Sequence, residues 1–297
     1  MNNVIQGRLL GIAGKMGAGK STVGKILEET GLWERTRFAQ DLKAITFGIL
    51  RRAGYSETIA HEIVDGSLKQ VNCPSLGTSG RRFMQLIGSE FVRGFGCPNF
   101  WVNSSMLRAG KKRLQGKNIF FDDLRFRDTE NVRIHQEKGL ALYIQRDNIS
   151  FDNSSSLREI KLIEEISATP INRHFRNNFV DICTDVFVNY WEGVARDVGL
   201  SVDEYISGVI SIEGQTWEKF LSYYRDVFLK MFLDSVMDVV VPQASVSGHI
   251  SENLYSEKDA DFVIRNNGDM AELRRSVIDC LAFQDISVLE EHLAQQK

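Results

Sequence analysis

The chain has 297 residues, 43% of them hydrophobic and 25% charged, with a formal net charge of −3. That balance excludes a disordered or fibrous chain and gives no global attraction to a nucleic-acid backbone. No apolar run reaches the roughly 18 residues that cross a bilayer, and MNNVIQGRLLGIAG at the N-terminus lacks the basic start and long apolar centre of a secretory signal, so the expected location is the cytoplasm.

From the N-terminus, LLGIA reads as a buried strand. The glycine-rich turn GKMGAGKST follows, then KSTVGKILEETG, in which Val23, Ile26 and Leu27 share one helical face and Gly31 ends the helix. The segments Asp41 to Arg52 and Arg81 to Val92 carry apolar residues at helical spacing, and NCPSLGTSG between them reads as a loop. KNIFFDDLRF predicts a second strand with Ile119 to Phe121 at its centre, followed at once by two carboxylates. NVRIHQEKG reads as a helix and Leu140 to Gln145 as another buried strand. ADFVIRNNGDMAELRRSVIDCLAF then repeats strand, Asn-Gly turn and helix. Alternation of this kind predicts an α/β fold with a parallel sheet.

Residues 148–247 break the rhythm. Polar DNISFDNSSS opens the region, and helices are predicted over Asn178 to Val198 and Thr216 to Val240. In the second, Trp217, Phe220, Leu221, Tyr224, Phe228, Met231, Phe232 and Val236 form one stripe, a core face by its spacing. The expected division is therefore a core of 1–147 and 248–297, with a part of its own at about 41–110, and a helical insertion at 148–247. The four cysteines, Cys73, Cys97, Cys183 and Cys280, form no C-x-x-C pair and read as buried reduced thiols.

Gly14, Gly19, Lys20 and Ser21 satisfy G-x-x-x-x-G-K-[ST] between a strand and a helix. Glycines there let main-chain N–H groups converge on phosphate oxygens, and the helix start adds its positive end. ATP or GTP is the expected ligand, held by Gly14, Lys15, Gly17, Ala18, Gly19, Lys20, Ser21 and Thr22. Lys20 would reach the β and γ phosphates and the Ser21 hydroxyl would hold Mg²⁺.

Phosphoryl transfer also needs cations that neutralise two approaching anions. TSGRRFMQLIGSEFVR offers Arg81, Arg82 and Arg93, with Arg82, Gln85 and Ser89 close to one helical face. FFDDLRFRD places Asp122, Asp123, Arg125 and Arg127 at the carboxyl end of a strand, where open α/β sheets build their sites. The two aspartates point to opposite sides if the strand continues, and Asp123 is the one expected to face the site.

Together with GKMGAGKST, the segments FAQDLKAI, TSGRRFMQLIGSEFVR with PNFWV, DDLRFRDTE and GHISENLYSEKDADFVIRNNGDMAEL resemble the bacteriophage deoxynucleoside monophosphate kinases, a branch of the P-loop nucleoside monophosphate kinases. The resemblance spans about residues 8–147 and 248–280. It implies a P-loop kinase three-layer fold with the insertion at the lid position, and transfer of the γ phosphate of ATP, with Mg²⁺, to a deoxynucleoside 5′-monophosphate. It also implies roles by position: Arg81, Arg82 and Gln85 on the monophosphate or base, Trp101 lining the base pocket, and Asp123 and Arg125 between the nucleotides. Arg146 would open the lid, with Asn267 and Gly268 forming the turn beside adenine. Arg93 belongs to the same acceptor block, and a homodimer is allowed.

The family spacing D-x-R-x-x-x-E is one residue longer here, at Asp123, Arg125 and Glu130, and the family carries much less chain at the lid. Two other readings stand beside this one. In the first, a kinase phosphorylates 5-hydroxymethyl pyrimidines in DNA, with Lys161, Arg173, His174 and Arg176 of the insertion embracing a strand. In the second, a non-catalytic nucleotide-binding module docks a partner through its helices. His249 in GHISE reads as a packing or hinge residue, because an ionised phosphate acceptor needs no general base.

Overall fold

A computed structural model describes residues 6–91, 96–147, 156–170, 172–210, 216–236 and 255–294. In chain order the elements begin with β1 (Leu9–Gly14), α1 (Lys20–Glu29), β2 (Trp33–Thr36), α2 (Gln40–Arg52) and α3 (Glu57–Val64). Next come the two-residue strands β3 (Asn72–Cys73) and β4 (Thr78–Ser79), α4 (Gly80–Gln85), α5 (Phe100–Leu114), β5 (Asn118–Phe121), α6 (Val132–Gln136) and β6 (Leu140–Gln145). The remainder is α7 (Leu157–Ala168), α8 (Arg173–Asn177), α9 (Phe179–Asp197), α10 (Val202–Ile210), α11 (Trp217–Val236), β7 (Phe262–Arg265) and α12 (Met270–Ala294). The helix expected from Arg81 to Val92 is split, α4 giving way to a π-type turn at Leu86–Phe91.

The chain divides into two compact units. The first gathers Met1–Phe38, Arg108–Asp152 and Ser245–Lys297, and the second Ala39–Leu107 and Asn153–Ala244. The sequence reading kept 41–110 with the glycine-rich core; the structure groups that segment with the insertion instead.

The first unit is built on a sheet ordered β2-β5-β1-β6-β7, every pairing in it parallel. Parallel strands covered on both faces need apolar side chains on both, and β1 is buried along nearly its whole length. Leu10, Ile12, Phe120, Leu142, Ile144 and Ile264 meet Val23, Ile26 and Leu27 of α1 and Leu273 and Val277 of α12. On the opposite face Ile134 of α6 packs so closely on β1 that a Cβ at Gly11 would lie 3.4 Å from it. The architecture is α/β with a parallel sheet. Among the described residues no helix is long and apolar enough to cross a membrane.

The second unit is helical around an aromatic core. Phe187 of α9 stacks on Tyr224 of α11 at 3.5 Å between ring centroids, and Phe100 lies 4.7 Å from Phe220 and 5.3 Å from Trp191. Trp217, Phe220, Tyr224, Phe228 and Met231 all belong to this cluster, as their helical spacing predicts. Phe232 and Val236 have side chains outside the described set. A buried polar network interrupts the core: Asp41 of α2 accepts from Ser104 Oγ of α5 (2.7 Å) and from the Tyr190 hydroxyl of α9. The Tyr205 hydroxyl of α10 bonds the same Ser104 Oγ at 2.8 Å. This ring joins helices from both chain segments of the unit, a physical reason why 39–107 and 153–244 fold together. Cys73, Cys97 and Cys183 are buried free thiols and Cys280 is half-buried.

Candidate functional site

In the first unit the carboxyl ends of parallel strands bring the chemistry-bearing residues to one edge. The chain leaves β1 toward β2 on one flank of the sheet and leaves β6 toward β7 on the other. Adjacent strands whose connections diverge open a crevice, the usual ligand position in an open α/β sheet. A cleft of about 260 Å³ lies there, lined by Lys15 beyond β1, Gln145, Arg146 and Asp147 at the end of β6, and Ser256 and Glu257.

Lys15, which lines the cleft, belongs to the loop from Gly14 to Gly19. Gly14, Gly17 and Gly19 have φ of 143°, 77° and 104°, values that side-chain-bearing residues rarely adopt. Space agrees with backbone: a Cβ at Gly14 would lie 2.5 Å from Ile144 O, and one at Gly19 2.3 Å from Asn266 Nδ2. Gly19 is the N-cap of α1, with no side-chain cap and no acidic residue in the first turn. The helix therefore begins with uncapped N–H groups at its positive end. Lys20 Nζ donates to Gly14 O (2.6 Å) and Lys15 O (2.9 Å), folding its ammonium over the loop. Ser21 is exposed on the first turn of α1 and Thr22 is half-buried. Converging amides, an ammonium and a helix N-terminus together suit an anion.

Strand β5 lies directly beside β1, with Gly11 opposite Phe121, and Leu124 N donates to Ile12 O at 3.2 Å, so the pairing continues past the strand. The two carboxylates that follow differ in environment. Asp122 is buried and takes Arg37 Nε at 2.9 Å and Arg35 at 3.3 Å. Asp123 is half-buried and accepts from Phe38 N at 2.9 Å. Arg125 is exposed. Glu130 is buried, and its Oε2 accepts from Arg125 N (2.6 Å) and Phe126 N (3.1 Å). Burial, followed by the negative charge of Asp123, pushes the Glu130 carboxyl up to about 8, against the opposing pull of those two N–H groups and Arg125.

On the other side of β1, Arg146 is exposed at the end of β6. Asn266, just past β7, donates from its main-chain N to Gln145 O (2.7 Å) and from Nδ2 to Ala18 O (2.8 Å). Asn267 is engaged with the β6 end instead: its Oδ1 accepts from Asp147 N (2.9 Å) and its Nδ2 donates to Asp147 Oδ2 (2.8 Å). The expected Asn-Gly turn is a bend at Gly268, after which Asp269 caps α12 through Glu272 N at 2.9 Å.

Strand order thus brings the expected residues Lys20, Ser21, Asp123, Arg125, Arg146 and Asn267 to the same sheet edge. Arg81, Arg82, Gln85 and Trp101 belong to the second unit. There Ser79 caps α4 by accepting from Arg82 N at 3.2 Å. The indole Nε1 of Trp101 donates to Gly88 O at 3.0 Å, and its ring packs 5.1 Å from Phe100 and 6.0 Å from Trp191. Arg93 and His249 lie outside the described residues. Sequence reasoning overlooked Asn266 and the Arg35 and Arg37 anchors of Asp122. No periodicity separates the two asparagines of NNG, whereas the arginines of WERTRF could have been found by asking what pairs a buried strand-end aspartate.

No protein-family model matches this chain, and no curated protein matches it. Among solved structures it is similar to the crystal structure of TT1252 from Thermus thermophilus, at 16% identity over 93% of this chain and 97% of that one, with a TM-score of 0.33. A likeness at that score carries no argument about fold or function.

Proposed function

We propose that this chain is a Mg²⁺- and ATP-dependent phosphotransferase whose acceptor is a deoxynucleoside 5′-monophosphate, and that Gly14 to Thr22 is a P-loop in a three-layer kinase core. The observation that supports it best is the loop itself: three left-handed glycines between β1 and an uncapped α1, with Lys20 Nζ 2.6 Å from Gly14 O. A Cβ at Gly14 would collide with the Ile144 main chain and one at Gly19 with the Asn266 side chain, so both positions of the loop require glycine.

In this reading the main-chain N–H groups of Gly14, Lys15, Gly17, Ala18, Gly19, Lys20, Ser21 and Thr22 hold the phosphate tail. Lys20 exchanges its two carbonyl partners for β and γ phosphate oxygens. The exposed Ser21 hydroxyl fits a Mg²⁺ ligand, and the ion would supply charge neutralisation across the phosphoryl oxygens. Asp123 and Arg125 beyond β5 and Arg146 beyond β6 flank the loop by strand order. Their part is to orient and neutralise, since transfer between phosphates asks for positioning and charge rather than a base. In the same reading Asn267 and Gly268 would lie on the adenine side, as the sequence resemblance implies. The acceptor class rests on the sequence resemblance, with Arg81, Arg82, Gln85, Arg93 and Trp101 as its residues.

The full chain, incubated with Mg²⁺ and γ-labelled ATP and each of the four deoxynucleoside monophosphates in turn, should yield a labelled diphosphate from at least one. Label appearing only in hydroxymethylated DNA would move the acceptor to a polynucleotide. Label transferred to none of these acceptors would contradict a kinase and favour a nucleotide-binding module.

A further inference from the structure

We propose that Asn266 is a positioning residue for the glycine-rich loop, holding the Ala18–Gly19 peptide in the orientation that receives an anion; this rests on the phosphate-binding reading above. Asn266 Nδ2 donates to Ala18 O at 2.8 Å, and Ala18 is buried. In a trans peptide the C=O and the following N–H point in opposite directions. Fixing the Ala18 carbonyl toward Asn266 therefore turns the Gly19 N–H away from it.

The asparagine is itself held in place, because its main-chain N donates to Gln145 O at 2.7 Å and so extends the β6–β7 pairing by one residue. The next residue, Asn267, is tied to Asp147 through two side-chain bonds of 2.8 and 2.9 Å. Asn266 thus acts from a fixed strand end on a glycine-rich loop. Glycine at position 19 is what makes such control necessary. The Ala18–Gly19 peptide turns by a joint change of Ala18 ψ and Gly19 φ, and glycine, at φ of 104° here, tolerates φ of either sign, so without the side-chain bond the peptide is free to turn its carbonyl oxygen toward an incoming phosphate. Gly19 also answers to Asn266 sterically, since a Cβ there would lie 2.3 Å from Nδ2.

The test is calorimetric titration of the full chain with Mg²⁺-tripolyphosphate and with adenosine, in wild type, Asn266→Ala and Asn266→Asp. The inference predicts that both variants lose about tenfold in tripolyphosphate affinity, the upper range for one hydrogen bond. The aspartate should lose more than the alanine because it sets a carboxylate against the Ala18 carbonyl. Adenosine affinity and melting temperature should stay within error, a split that a merely structural role would not produce. Wild-type tripolyphosphate affinity in both variants would overturn the inference while leaving the phosphate reading standing, whereas a wild type that binds no tripolyphosphate would overturn both. Should the variants fail to fold, the wild-type Gly19 amide decides: tripolyphosphate must move its NMR resonance, and an unmoved resonance overturns the proposal.

Discussion

Glu130 and Arg125 are joined through the main chain: Glu130 Oε2 accepts the Arg125 N–H at 2.6 Å, so a buried carboxyl sets the course of the loop that carries an exposed guanidinium. The buried Glu130 carboxyl is thus what pins this loop. Glu130 lies in the π-type turn at Arg127–Asn131, from which its carboxyl reaches back to the N–H groups of Arg125 and Phe126.

Glu130 carries a pH signature. Its carboxyl, raised to about 8 by burial and by Asp123, binds its proton more tightly in the folded chain than in the unfolded one. Its contribution to stability is therefore complete at pH below the ordinary carboxylate range and is lost as pH rises toward about 8. Glu130→Gln keeps an oxygen for the two N–H groups and cannot ionise. Thermal unfolding from pH 5 to pH 9 should show a lead of the glutamine variant over wild type that grows with pH; a lead independent of pH contradicts this assignment.

Lys20→Ala should lower turnover by roughly 10²-fold or more, with the far-ultraviolet circular dichroism unchanged. The ammonium donates to the carbonyls of Gly14, at the end of β1, and of Lys15 beyond it. Near-normal turnover would remove Lys20 from the mechanism.

Two glycines separate backbone strain from loop function. Gly31, with φ of 70° and nothing within 4 Å of a built Cβ, should accept alanine at a cost of roughly 1–2 kcal/mol and keep full nucleotide binding. Gly19, with φ of 104° and Asn266 Nδ2 2.3 Å from such a Cβ, should lose nucleotide binding on the same change. Urea unfolding beside nucleotide titration distinguishes the two, and equal binding in both variants would count against the loop's role.

The buried Asp41 ring should matter to stability and not to the glycine-rich loop. Tyr190→Phe removes one hydrogen bond to a buried carboxylate and should cost about 1.5–3 kcal/mol. Asp41→Ala leaves the Ser104 and Tyr190 hydroxyls without that acceptor and should cost about 2–6 kcal/mol, about 1–3 for each. Equilibrium unfolding of each variant measures both values, and a loss under about 0.5 kcal/mol for Asp41→Ala would show that the ring is dispensable.

Much of the first unit was legible because buried parallel strands are continuous apolar runs, and LLGIA, NIFF and LALYIQ stand out as such. Trp33–Thr36 was not, since this four-residue edge strand has a single buried residue and three half-buried ones, and Glu34, Arg35 and Thr36 break the apolar run. Helices α9 and α11 announced themselves by aromatic spacing. The grouping of 39–107 with 153–244 did not, because it rests on distant contacts such as Phe100 with Trp191 and Asp41 with Tyr190, the latter 149 residues apart, and no local pattern carries contacts at that separation. The turn between β1 and α1 was legible from its glycines, and the position of Asp123 from its place after β5. Asn266 was hidden beside Asn267, since only the paired ends of β6 and β7 decide which asparagine turns to Ala18 and which to Asp147.

The central claim is that the loop from Gly14 to Ser21 grips a phosphate tail, and an affinity series tests it most directly: adenosine, AMP, ADP and ATP, each with Mg²⁺, titrated against the full chain. The account predicts affinity that climbs with each added phosphate and a climb that flattens in Lys20→Ala. Equal affinity for adenosine and ATP in the wild type would contradict it.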